Sequence, residues 1–281
     1  MSIFNRLFGG SAKREADRSS DPAARADAVV AQLQAMAQPC LRIVAGGTGK
    51  SRLGGIPDLA RPWPRYEGRP LCCVAQLDLA ELRAADGPDW LPDSGRLMFF
   101  YDLEHGAWGL EAGDAGSSVV IHEAGDPAPA AEPADLPEDA RFPAYPVGFA
   151  NTMSLPSEER LEIDWKGMTK AERRAVEAAI EALQPPEPVH QVGGFPHPVQ
   201  SDDMELQCQS VTQGAVIGGG RLKSLEPMSS APADWRLLLQ LDTDNDAGMM
   251  WGDTGTLYFW IREQDARAGD FSKIWMILQC C

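Results

Sequence analysis

The feature that most constrains this chain is a series of short motifs that occurs twice in the same order. In the first half it runs Gly54-Gly55-Ile56-Pro57, then Gln76-Leu77-Asp78, then Asp93-Ser94-Gly95 followed by Leu97, Phe99 and Phe100. In the second half it runs Gly193-Gly194-Phe195-Pro196, then Gln240-Leu241-Asp242, then Asp253-Thr254-Gly255 followed by Leu257, Phe259 and Trp260. Matching series with unequal spacers point to two diverged copies of one supersecondary unit. Each part has a physical role. The GGxP run supplies unusual φ and then a fixed φ, which makes a stiff corner. In D-[ST]-G the Asp bonds the N–H groups that follow and the Gly takes positive φ. Two such units, each with one apolar face, bury those faces against each other or within one sheet.

Along the chain, Ala12–Asp21 is charged and polar without periodicity, and residues 1–22 read as a flexible tail. Ile3, Phe4, Leu7 and Phe8 make too short an apolar run for a signal peptide. Residues 23–281 read as a single domain, with repeats at about 40–125 and 186–281. A helix is expected over Ala23–Gln38, where Ala26, Val29, Val30, Leu33 and Met36 fall at helical spacing before Pro39. The run Gly49-Lys50-Ser51 resembles the end of a phosphate-binding loop. Val44 stands where that loop needs glycine, however, and Gly54, Gly55 and Pro57 oppose the helix that must open after the Ser. Strands are expected at LCCVAQLDL, GRLMFFYDLE, GAWGLEAG and SSVVIHEAG. The Pro-rich stretch from Asp126 to Pro146 marks a boundary or a surface excursion, and a short helix is expected near Ser157. Met168–Gln184 is the clearest helix, with a Thr169–Glu172 capping box and Pro185-Pro186 as its stop. The closing FSKIWMILQCC reads as a buried strand. The resulting fold class is α+β, internally duplicated, with mostly antiparallel sheets and a few helices.

The net charge of -16 opposes binding to nucleic acid or anionic lipid, and part of it lies in the Pro/Ala-rich segment Asp114–Glu138. A basic or metal-ion partner suits the field better. No apolar run approaches the length of a membrane-spanning helix. The cysteines, Cys40, Cys72, Cys73, Cys208, Cys280 and Cys281, include two adjacent pairs and no CxxC pair, so reduced thiols in a cytoplasmic protein are expected.

The runs GGIPDL, AQLDL, GGFPHPVQ, LLLQLDTD, MMWGDTGTLYFWI and WMILQC resemble the YwqG-like family of bacterial proteins, a domain of unknown function, over residues 40–281. The resemblance implies a duplicated α+β fold in the bacterial cytoplasm and brings no established activity.

The candidate site is the stretch Trp235–Trp260. Asp242, Asp244 and Asp246 are spaced by two, with Asp253 seven further on, as carboxylates are in a calcium loop. These four are the candidate ligands of a divalent cation. Ala247 and Asp253 depart from the Gly and Glu such a loop requires. As a binding module, the same stretch offers Gln240, Asp242, Trp251 and Asp253, with Trp235, Trp260, Trp275 and Met249-Met250 as an apolar groove. A ligand- or protein-binding role is the leading expectation. A divalent-metal-dependent hydrolase and an immunity-like protein neutralising a basic partner are the alternatives. No cofactor is implied beyond that cation. His105, His122, His190 and His197 lie in no nucleophile or metalloprotease motif; His190 and His197 flank the second corner.

Overall fold

The computed structural model describes residues 21–214, 217–218, 221–222 and 232–281. The expected tail lies almost wholly outside them. Two compact units are distinguished. One holds most of helix α1 (Pro22–Ala35) together with α3 (Lys170–Glu181); the other, Gln32–Glu162 with Gln184–Cys281, holds the sheet and the site. The Thr169–Glu172 capping box at the start of α3 forms as the sequence predicts. None of the described helices is long and apolar enough to cross a membrane.

The second unit is built on one ten-stranded sheet. In chain order its strands are β1 (Gln38–Ala45), β2 (Arg52–Leu53), β5 (Cys72–Asp78), β6 (Arg96–Tyr101), β7 (Ser118–Glu123), β8 (Tyr145–Ser154), β9 (Gln191–Val192), β12 (Trp235–Asp242), β13 (Thr256–Arg262) and β14 (Trp275–Gln279). Small hairpins β3–β4 (Arg65–Tyr66, Arg69–Pro70) and β10–β11 (Ile217–Gly218, Arg221–Leu222) stand apart from it. Across the sheet the order is β14-β13-β12-β9-β1-β8-β2-β5-β6-β7, and the pairings are antiparallel. A long pair, β1 and β8, sits at the centre. Outward on either side come a two-residue strand and then a three-stranded meander.

Side chains alternate across the meanders, and both faces are buried. Leu97, Phe99 and Tyr101 point into the same central core as Leu257, Phe259 and Ile261. There Phe99 meets Phe259 edge to face, with centroids 5.2 Å apart. The outer faces are covered separately. Met204, Cys208 and Val211 of α4 (Met204–Thr212) lie over Leu237, Tyr258, Trp260 and Ile277. Leu59, Leu71, Trp63 and Ala130 lie over Cys73, Met98, Phe100 and Ile121. Matching bulges, at Cys73/Ala75 and Leu237/Leu239, turn two consecutive residues of each strand toward the core.

Three sequence expectations change. GAWGLEAG is not a strand: Gly109 takes φ +75°, and the Trp108 and Gly109 carbonyls accept the Leu278 N–H at 3.1 Å and the Trp275 indole N–H at 2.8 Å, so this connection covers the edge of β14. The stretch YPVGFANTMS, for which the sequence predicts no strand, is the central strand β8. The short helix near Ser157 is a single 3-10 turn, Glu158–Arg160. Within the described residues the cysteines are unpaired, and only Cys281 is exposed.

Candidate functional site

The glycine corners are held by the Gln-x-Asp strand ends beside them. Gln76 Oε1 accepts the Asp58 N–H at 2.9 Å while its Nε2 donates to the Lys50 carbonyl at 3.2 Å. Gln240 Oε1 accepts the His197 N–H at 2.8 Å while its Nε2 donates to the Val189 carbonyl at 2.8 Å. Each glutamine therefore joins the residue four before the first glycine to the residue four after it. The N–H two residues on does likewise: that of Asp78 donates to Ser51 Oγ at 2.9 Å, that of Asp242 to His190 Nδ1 at 3.0 Å. At the far edge, Glu123 accepts from the Ala60 N–H and Gln279 from the Val199 N–H. Gly55 and Gly194 have φ of +74° and +72°. A Cβ on either would lie 2.8 Å from that of Ala144 or Cys40, so both conformation and close approach call for glycine.

What surrounds these matched bonds differs. In the first half the Arg96 side chain, 4 % exposed, pairs with Asp58 at 2.7 Å and also with Asp126, while Lys50 reaches Asp126 at 2.8 Å. Arg52 donates to the Gln76 Oε1 at 3.1 Å. In the second half Thr256 follows the turn glycine where Arg96 does in the first, Gln191 pairs with Gln240 as Arg52 pairs with Gln76, and Val189 and His197 stand in the places of Lys50 and Asp58.

The acidic loop turns two of its four carboxylates, those of Asp242 and Asp244, inward. Asp242 accepts from the Val189 N–H at 2.8 Å, the Thr243 N–H at 2.9 Å and the Thr256 hydroxyl at 2.8 Å. Asp244 is buried and accepts from the Asp246 and Ala247 N–H groups at 2.8 and 3.2 Å, closing the loop as an Asx turn. Because the Asp242 N–H makes His190 Nδ1 an acceptor, the proton of a neutral His190 sits on Nε2, which donates to Asp244 at 3.1 Å. Burial lowers the His190 pKa in spite of both aspartates. Burial raises that of Asp244, but His190 and the two N–H groups outweigh it and leave the carboxyl below its ordinary range. Asp246 and Asp253 face solvent. Among the described residues no group of three or more His, Cys, Asp or Glu side chains is placed to hold a metal ion.

The residues named as a binding site are thus divided. Gln240 is a buried clamp. Trp251 is a core residue, its indole N–H donating to the Asp242 carbonyl at 3.1 Å and its ring packed on Tyr101 and Phe142. Met249 is also in the core, and only Asp253, Asp246, Met250 and part of Asp242 meet solvent. Cys208 is wholly buried, and burial pushes its thiol well above the ordinary pKa.

Trp235 and Trp260 instead belong to a cleft of about 560 Å³ on the outer side of β12 and β13. Leu237 shares its floor. One wall is Cys40 with Gly194-Phe195, the opposite rim runs from Asp86 to Trp90, and Arg160 and Glu205 close an end. Arg160 is spent internally: it holds Glu205 at 2.9 Å and the buried Asp202 at 2.6 Å, and lies over the Phe195 ring. Burial raises the Glu205 pKa. Trp235 donates to Gln209 at 2.9 Å. Trp260, 1 % exposed, has an indole N–H that is buried and has no hydrogen-bond partner among the described residues. Trp90, Arg160 and Glu205 escape sequence reasoning because they come from three separate segments with no shared motif, and Phe195 is visible only as part of the second GGxP corner.

Residues 51–280 match the family model described as a domain of unknown function, DUF1963, a span that takes in both Gln-x-Asp strands, the acidic loop and the closing strand. None of the curated proteins matches the chain. On that match over most of its length, the chain belongs to the DUF1963 family.

Proposed function

We propose that this protein is a recognition module that binds a ligand or protein segment without transforming it, and that the binding site is the tryptophan-lined cleft of the second half. The observation that carries this is the Trp260 indole N–H. A buried donor without a partner costs about 1–3 kcal/mol, which a ligand carrying an acceptor returns. The cleft volume of about 560 Å³ falls within the ordinary range of ligand pockets. The site thereby moves from the acidic loop, where Asp242 and Asp244 already hold internal donors, to the other side of the same two strands. Against a hydrolase, the thiols other than that of Cys281 are buried and His190 is held between two internal partners. An immunity-like role is compatible with the cleft, since a basic partner suits a chain of net charge -16.

Residues 23–281 then form one domain of two diverged copies, a history favoured by the matched clamps and by the mirrored strand order about β1 and β8. The GGFPHPVQ and MMWGDTGTLYFWI runs favour a place among its YwqG-like members, and five buried free cysteines favour the cytoplasm.

Nitrogen-labelled indole spectra test the site. The chain has 8 tryptophans, and small carbonyl-bearing fragments are expected to shift the Trp260 signal first. Trp260→Phe should abolish their binding with the fold retained. Fragments that gather at Asp246 and Asp253, and bind Trp260→Phe unchanged, would return the site to the acidic loop.

A further inference from the structure

The first half contains a cleft in the matching place, and the chain itself lies along it. This cleft, of about 660 Å³, is lined by Gly55-Ile56 and by Phe142, Pro143 and Ala144. The second-half cleft is lined by Gly194-Phe195 and by Gln38, Pro39 and Cys40. Sheet register makes these triplets counterparts: Pro146 of β8 pairs with Arg52 as Arg42 of β1 pairs with Gln191, and each triplet ends two residues before that pairing.

In the first half the Pro/Ala-rich run Asp126-Pro127-Ala128-Pro129-Ala130-Ala131-Glu132-Pro133 passes along the corner as a strap. The Ala130 N–H donates to the Pro57 carbonyl at 2.9 Å, and Asp58 bridges Pro129 in antiparallel fashion. Ala130 packs on the outer cluster of Phe100 and Trp63, while Pro129 and Glu132 line the cleft. Each acidic group of the strap and its continuation meets a cation: Asp126 with Lys50 and Arg96, Glu132 with Arg141 at 3.2 Å, Asp135 with Arg65 through two bonds of 2.8 Å. The described residues supply no counterpart to this strap in the second half.

The second half lacks the cations that hold Asp126 of the strap in the first. Val189 and Thr256 stand where Lys50 and Arg96 do, and Arg160 is neutralised by two carboxylates and Arg236 by Glu263. The Asp86 carboxylate at the rim is exposed and has no ion-pair or hydrogen-bond partner among the described residues. We infer that the second cleft holds an extended, proline-containing segment of a partner protein carrying Lys or Arg, in the place that the acidic strap takes in the first. Proline pre-orders such a segment, aromatic walls accept its rings, and the Trp260 N–H bonds one of its carbonyls. The acidic field of the whole chain draws it in.

This inference rests on the cleft proposed above as the binding site, and the test separates the two. Titration calorimetry would compare Pro-Ala peptides of equal length bearing arginines, no charge, or aspartates in the pattern of the strap. The basic peptide should bind at least about tenfold more tightly than the acidic one, roughly 1.4 kcal/mol, and lose affinity as salt rises. Asp86→Asn, which keeps a residue suited to the +59° φ at that position, should weaken the basic peptide several-fold and flatten its salt dependence. Trp260→Phe should weaken the basic and neutral peptides alike. Equal binding of all three peptides, binding of none, or indifference to Asp86→Asn would overturn the inference. If carbonyl fragments still reach Trp260 while no peptide binds, only the ligand class has failed; if they do not, the cleft itself is refuted.

Discussion

In the first half Gln76 spans a corner whose neighbours are Lys50, Arg52, Asp58 and Arg96; in the second Gln240 spans one whose neighbours are Val189, Gln191, His197 and Thr256. The glutamine bonds match within a few tenths of an ångström, yet one corner is ionic and the other is neutral apart from its aspartates. A shared Gln-x-Asp strand end is therefore scaffold. What each corner does must come from the positions that differ, and among the described residues those positions go with an occupied cleft on one side and an open cleft on the other.

The comparison breaks most sharply at Arg96. Arg96→Met leaves Asp58, whose side chain is 13 % exposed, with Arg52 at 3.5 Å as its remaining cation beside the neutral Gln76 amide at 2.9 Å. Removing one partner of a buried pair costs about 3–5 kcal/mol. Thr256→Val, at the matching place, removes one hydroxyl bond to Asp242 and should cost about 1 kcal/mol. Denaturant unfolding of the two variants measures the difference, and equal losses would mean that the ionic corner is no more than decoration. Next in size are the clamps. Gln76→Leu and Gln240→Leu each leave a partly buried N–H without its acceptor and take one donor from a carbonyl, so each should lose about 1–3 kcal/mol and by similar amounts. A clamp that costs nothing on one side would end the equivalence of the corners.

How much of this was legible in the sequence follows from the range of the interactions. The corners and strand ends announce themselves because GGxP, Gln-x-Asp and D-[ST]-G each encode a local backbone requirement. β8 does not, because Pro146, Gly148 and the polar Asn151-Thr152 interrupt its alternation and its partners β1 and β2 lie some hundred residues earlier in the chain. Helix α4 was hidden for another reason: Gln207, Gln209 and Ser210 are buried alongside Met204 and Cys208, so no polar face marks it. The loop aspartates were legible as a cluster, but their spacing could not tell that Asp242 and Asp244 bond their own backbone and His190.

His190 sharpens the comparison through pH, since Ser51 in the matching position does not titrate in this range. Its folded pKa lies below the unfolded value of about 6.5, so the unfolded chain takes up the proton first. The neutral form's stabilising contribution is whole above that value and is lost as pH falls from about 6.5 toward the folded pKa. His190→Gln should flatten the stability–pH curve in that window. A remaining slope is expected from His197, whose pKa burial also lowers, and Asp244 adds its own loss at more acid pH. An unchanged curve in the variant would mean that His190 keeps an ordinary pKa and that the Asp244 contact is not formed in solution.

The smallest effect is expected at the acidic loop, the feature by which the second half most visibly exceeds the first. With Asp242 and Asp244 engaged by internal donors, only Asp246 and Asp253 are free to face a cation, and two exposed carboxylates make a poor calcium site beside the six to eight oxygens such an ion takes. Calcium, magnesium or manganese should therefore move the thermal midpoint by no more than about a degree, and Asp246→Asn or Asp253→Asn should change stability by less than about 0.5 kcal/mol. A rise of several degrees that Asp246→Asn removes would show that the loop opens to take a metal. The Asp244–His190 contact would then be the unliganded state of a cation site, with no counterpart at the first corner.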